Sequence, residues 1–214
     1  MCRSTGDRGY LQAAYQIRCR VSPVRCFGIV GLFSTGIDLR RLLITVELIL
    51  LQPADREQFI KDNQWAFRYG ALAEFGKRND QFEEGDEIIA RQTIENCIDQ
   101  GTAYRIWQNG QKAGGAVVNI NGDHGSLELL FVNPTMHSHG IGKAAWRAIE
   151  QMYPKVKVWE TITPYFETRN IHFYVNKCGF KIVEFYNLRH PDPSWSAADD
   201  QVGWLDFRFE KRME

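Results

Sequence analysis

Leu129-Leu-Phe-Val132-Asn-Pro134-Thr-Met-His137-Ser-His-Gly140-Ile-Gly142-Lys143-Ala144 is the stretch on which the fold turns. An apolar strand runs into a glycine-bearing loop, and a helix pattern follows over Gly142–Tyr153, with Ala145, Ile149, Met152 and Tyr153 at one-face spacing. Such a loop can bind phosphate, because N–H groups and the dipole at a helix start favour an anion and glycine lets the backbone come close. A Walker P-loop would need Gly at His137 and Ser or Thr at Ala144, so that reading fails. The dinucleotide fingerprint matches the letters of Gly140-x-Gly142-x-x-Ala145, with Glu160 about twenty residues on. Its first glycine should follow the strand almost at once, however, and here Asn133–His139 intervene. Too little chain also remains downstream for a doubly wound sheet.

Working outward, the chain alternates clearly from Val46. A first strand, Val46–Gln52, precedes a helix opened by Pro53-Ala54-Asp55, with Phe59, Ile60 and Phe67 on one face and Trp65, Tyr69 and Leu72 as a second stripe. The acidic loop Phe82–Glu87 leads to a second helix bearing Ala90, Ile94, Cys97 and Ile98, which stops at Gly101. Strands are expected over Ala103–Gln108, Ala113–Asn121 and Ser126–Val132, joined by turns at Asn109-Gly110 and Asn121-Gly122-Asp123. After the central helix come a strand at Lys155–Ile162, a short helix at Arg169–Cys178 capped by Gly179, and a strand at Phe180–Tyr186. A loop at Asn187–Gly203 precedes the last strand, Leu205–Glu210.

A chain of 214 residues holds one domain with a full core. Net charge is zero, which removes a global electrostatic case for nucleic acid. Residues 1–45 carry seven basic and two acidic residues, unlike the rest, and read as a poorly structured extension, either a presequence or a start placed upstream of a domain spanning 46–214. Five scattered cysteines argue against a disulfide framework or zinc module, and a reducing, cytoplasmic setting is the expectation. The longest apolar run, Leu42–Leu51, is too short to span a bilayer, so no membrane passage is expected.

The quoted stretch resembles motif A of the GNAT superfamily of N-acetyltransferases: an apolar strand, Val-x-Pro, a short loop, then Gly-x-Gly at a helix start. The element order from Val46 to Glu210 is similar to that fold, as is Asn170-Ile-His-Phe-Tyr174 leading to Gly179-Phe180, so about four-fifths of the chain is covered. Two departures stand out. His137 occupies a position where Arg or Gln is usual, and Tyr174 lies five residues before Gly179 where four is common. The resemblance implies an α+β, three-layer fold: a mixed, mostly antiparallel sheet of six or seven strands with four helices. It implies acetyl-CoA as co-substrate, its pyrophosphate wrapped by His137, Ser138, His139, Gly140, Ile141, Gly142, Lys143 and Ala144. Phe131 and Val132 would bond the pantetheine arm between parted fourth and fifth strands, with Asn170 a further contact. A strand edge offers N–H and C=O groups to such an arm, as in β-augmentation.

Direct attack needs a neutral amine, which a carboxylate can help to supply while an acid protonates the departing thiolate. Glu128, on the fourth strand just before the cofactor stretch, is the candidate base and Glu160 the reserve. Tyr174 is the candidate acid, although Ile171, Tyr174, Val175 and Cys178 share one helical face as core residues do. His137 and His139 lack further ligands at metal spacing, so no metal is expected. The acceptor would be an amine of a small molecule or peptide, and the protein a monomer or homodimer. A non-catalytic acyl-CoA-binding module is the alternative from another class.

Overall fold

The computed structural model describes residues 44–75, 88–136, 140–193 and 205–214. The extension at 1–45 lies almost wholly outside these residues, as do the acidic loop 82–87, His137–His139, and 194–203 of the last loop. Strand β1 (Glu47–Leu50) leads through a 3-10 turn at Pro53–Asp55 into helix α1 (Arg56–Phe75). Helix α2 (Arg91–Gln100) is followed by strands β2 (Thr102–Gln108), β3 (Gln111–Asn121) and β4 (His124–Val132). Then come α3 (Ile141–Met152), β5 (Val158–Pro164), α4 (Thr168–His172, continued by a π-turn at Phe173–Cys178), β6 (Lys181–Tyr186) and β7 (Asp206–Arg212).

The seven strands form one sheet in the order β1-β2-β3-β4-β5-β7-β6, in which only β4 and β5 run parallel. Local chemistry sets the hairpins. Asn109 (φ 48°) and Gly110 (φ 75°) are both left-handed, as a two-residue type I′ turn requires, and Gly122 (φ 63°) opens the next one.

Helix α1 covers one face of the sheet. Phe59 stands edge-on to Phe131 of β4 with ring centroids 5.0 Å apart. The residue paired with Phe131 on β3 is Gly115, where any Cβ would collide with the Phe59 ring. On the same face, Arg105 is buried and ion-paired to Asp55 and Asp62, each at 2.7 Å. Helix α3 covers the opposite face, where Trp146 meets Trp159 of β5 at 5.2 Å and Tyr153 bonds Tyr104 of β2. The buried face of α3 differs from its expected one: Trp146 is buried and Met152 exposed, because the helix turns its Ile141–Ala145–Ile149 side and the neighbouring Trp146 to the sheet. Trp65, Tyr69 and Leu72 form no second core stripe but face solvent from α1.

Candidate active site

Strands β4 and β5 part almost as soon as they meet. Their parallel register runs His124↔Val158, Gly125↔Trp159 and Ser126↔Glu160, and then stops, although β4 continues to Val132 and β5 to Pro164. At the vertex, the Thr161 hydroxyl donates to the Leu127 carbonyl at 2.9 Å, so a side chain makes the last link across the gap. Beyond it the two strands fork and are no longer paired.

Register decides which backbone groups of β4 face that fork. Asn133 N–H donates to the Ala113 carbonyl at 2.8 Å, which makes these two a mutually bonded pair with β3. Alternation then turns the groups of Phe131 toward Gly115 and those of Leu130 and Val132 toward the side of β5. Of the two strand residues expected to meet the arm, Val132 has its backbone directed to the β5 side by this alternation; Phe131 faces β3 and packs its ring against α1.

Between Val117 and Val118 the β3–β4 register slips, leaving Glu128 as the extra residue of a bulge. Burial raises the Glu128 carboxyl, against the opposing effect of the Ser126 hydroxyl. The Cys97 thiol of α2 is pushed up to about 12, by burial and then by the charge of Glu128. Glu160, the reserve base, is held by Arg208 at 2.7 Å, and the same guanidinium binds Glu184 at 2.6 Å. Its charge is thus already engaged.

Helix α3 starts at Gly140, which is left-handed (φ 69°) and gives no side-chain cap. The first intrahelical bond runs from Ala144 N–H to the Gly140 carbonyl, and the opening turn carries Lys143 but no acid. An acid there would favour the positive end of the helix, and a phosphate could take that place.

The five-residue spacing from Tyr174 to Gly179 has a structural cause. The chain there makes a π-turn, so the added residue widens the helix and leaves its capping intact. Both Gly179 N–H and Phe180 N–H (3.0 Å) donate to the Tyr174 carbonyl, and Gly179 is left-handed (φ 83°). Tyr174 is fully buried among Phe173, Phe180 and Phe209. Its hydroxyl lacks an aligned partner, and burial raises it well above the ordinary phenol value, with the Thr161 hydroxyl acting the other way. Asn170 is buried at the start of α4 and donates to Glu167 at 3.2 Å.

The residues present fit an acyl-CoA: an anion-ready helix start, strand groups directed into a fork, and a buried hydroxyl without a partner beside it. Among the described residues no group of His, Cys, Asp and Glu is arranged to hold a metal ion, and no helix is long and apolar enough to cross a membrane.

The profile of the Acetyltransferase (GNAT) family matches residues 63–180, from the middle of α1 to the start of β6. The chain belongs to this family. YrkN of Bacillus subtilis strain 168, itself uncharacterised, is 47% identical over 178 residues, which span 79% of this chain and 94% of that one. An acetyltransferase of Thermus thermophilus aligns with a TM-score of 0.56 at 13% identity, over 80% of this chain and 99% of its own. The PaiA N-acetyltransferase of Thermoplasma acidophilum, solved in complex with coenzyme A, gives a TM-score of 0.56 at 16% identity over 79% and 99%. At such identities the two structures share the fold. Membership of this acetyltransferase family supports acyl transfer from CoA. Thr161, Thr163 and the bulge at Glu128 escaped the sequence reading, because alternation alone does not reveal where two strands separate.

Proposed function

We propose that this protein transfers the acetyl group of acetyl-CoA to a primary amine of a small molecule or peptide, by direct attack in a ternary complex. The observation that carries the reading is Glu128, a carboxylate raised by burial, on the bulge of β4 two residues past the last β4–β5 pair. The cofactor would lie with its pyrophosphate at the start of α3, across His137 to Ala144, and its arm along Leu130 and Val132. Bound there, acetyl-CoA supplies an activated thioester. Glu128, directly or through water, takes a proton from the amine as it attacks, and an N–H on the fork side of β4 stabilises the developing oxyanion. Tyr174 is the candidate donor to the departing thiolate, since its hydroxyl has no other aligned partner.

The test is release of free thiol from acetyl-CoA in the presence of a panel of primary amines, including a lysine-containing peptide. Turnover with an amine that disappears in Glu128→Gln supports the assignment. CoA binding without turnover on any amine would leave the protein a non-catalytic acyl-CoA module. Gly142→Glu, which puts a side chain and a negative charge into the anion site, should abolish CoA binding by calorimetry.

A further inference from the structure

Native interiors leave few polar atoms without a partner, and each one asks for a reason. Arg105 Nη1 lacks an aligned bond but sits 2.7 Å from Asp62, so its charge is met. Among the described residues, the other buried side-chain atoms without a partner belong to Asn63, Trp146, Trp159, Thr163 and Tyr174. Their positions differ. Asn63 is on α1, across the sheet from α3. Trp146 and Trp159 pack edge-on against each other, and Trp159 is paired with Gly125 where β4 and β5 are still joined. Thr163 stands beyond the fork, three residues past Glu160, the last β5 residue paired with β4.

Strand alternation points Thr161 and Thr163 to the same face of β5. Thr161 shows what such a hydroxyl does when β4 is within reach, donating across the gap to the Leu127 carbonyl at 2.9 Å. Two residues on, β4 has moved away. The other neighbour of β5 gives Thr163 no polar side chain, since the residue paired with it on β7 is Phe207. Thr163 is fully buried, and its hydroxyl is left with an unmet bond at the level where β4 and β5 are no longer paired.

We propose that Thr163 is a recognition residue for the pantetheine arm of acyl-CoA, its hydroxyl donating to an amide carbonyl of that arm as Thr161 does to Leu127. This rests on the cofactor reading above and adds the β5 wall of the cleft to the β4 edge. An arm laid between the strands restores opposite Thr163 the acceptor that β4 supplies opposite Thr161. Because Thr163 is covered, the arm must part the side chains over it, and the new hydrogen bond is one the free protein lacks.

The experiment compares wild type, Thr163→Val and Thr163→Ser by calorimetric titration with CoA and with adenosine 3′,5′-bisphosphate, which lacks the arm. Thr163→Val should weaken CoA binding about two- to ten-fold, the worth of one hydrogen bond, and leave the bisphosphate unaffected. Thr163→Ser should restore the affinity. Free Thr163→Val should melt at or above the wild-type temperature, because it loses a hydroxyl that had no partner. Unchanged CoA affinity in Thr163→Val, an equal loss for the bisphosphate, or a lowered melting temperature would each overturn the inference. A wild-type protein that binds no CoA would overturn the cofactor reading itself, and this inference with it.

Discussion

Deprotonating a lysine-like amine at pH 7 costs roughly 4.6 kcal/mol, taking a pKa near 10.4 and 1.36 kcal/mol per unit. A positioned base recovers part of that, which is the role proposed for Glu128. Glu128→Gln should lower kcat by about 10²- to 10⁴-fold with little change in CoA affinity. The pH profile carries a further signature. The base acts only when ionised, and burial raises its carboxyl, so the acid limb of kcat/KM should lie above the ordinary glutamate range and vanish in the variant. An acid limb that persists unchanged in Glu128→Gln would assign the base elsewhere. Tyr174→Phe separates two quantities in the same way. Its hydroxyl has no aligned partner, so losing it should leave the melting temperature level or raised, while kcat falls at least ten-fold if that hydroxyl protonates the thiolate. Normal kcat on the true acceptor would remove Tyr174 from the mechanism.

At the level of elements, the start of α3 ties sequence to function most directly. Gly140 is held at φ 69°, where a side chain is strained, and a Cβ there would come 2.9 Å from Ile44 Cδ1. Gly140→Ala should therefore destabilise by about 1–2 kcal/mol and weaken CoA binding through the distorted helix start, read by urea unfolding and calorimetry. Unchanged stability would mean that the backbone can relax at this point. This element was legible in the sequence because glycine, strand and helix patterns adjoin there. The two-residue hairpin at Asn109-Gly110 was legible for a similar local reason: both residues tolerate positive φ. What stayed hidden is non-local. The π-turn takes up one residue between Tyr174 and Gly179, and spacing alone reads that as a misplaced tyrosine. The carboxylates of Glu128 and Glu160 look alike on their strands, and only the pairing of β5 with β7 brings Arg208 to Glu160.

The molecule as a whole buries one carboxyl next to another acid. Asp206 opens β7 opposite Pro164 of β5 and Tyr186 of β6, and is 5% exposed. Its carboxyl is pushed up to about 7, first by burial and then by the charge of Asp192. The sign of the consequence follows from which state holds the proton more tightly. The folded value lies above the unfolded one of 3.8, so the folded chain binds the proton better. That contribution to stability is fully present below about pH 4 and is lost as pH rises through about 7. The displacement is about 3 pH units, which at about 1.4 kcal/mol each sets a ceiling near 4 kcal/mol. Against a typical domain stability of about 5–15 kcal/mol, such a term is visible. Asp206→Asn keeps the shape and cannot titrate. Relative to wild type it should be more stable at pH 8 than at pH 5, by up to a few kcal/mol, in urea unfolding at the two pH values. Every other group is common to both proteins, so its contribution cancels in the difference. An identical gap at both pH values would show that Asp206 carries the same charge throughout, with a counter-charge holding it ionised.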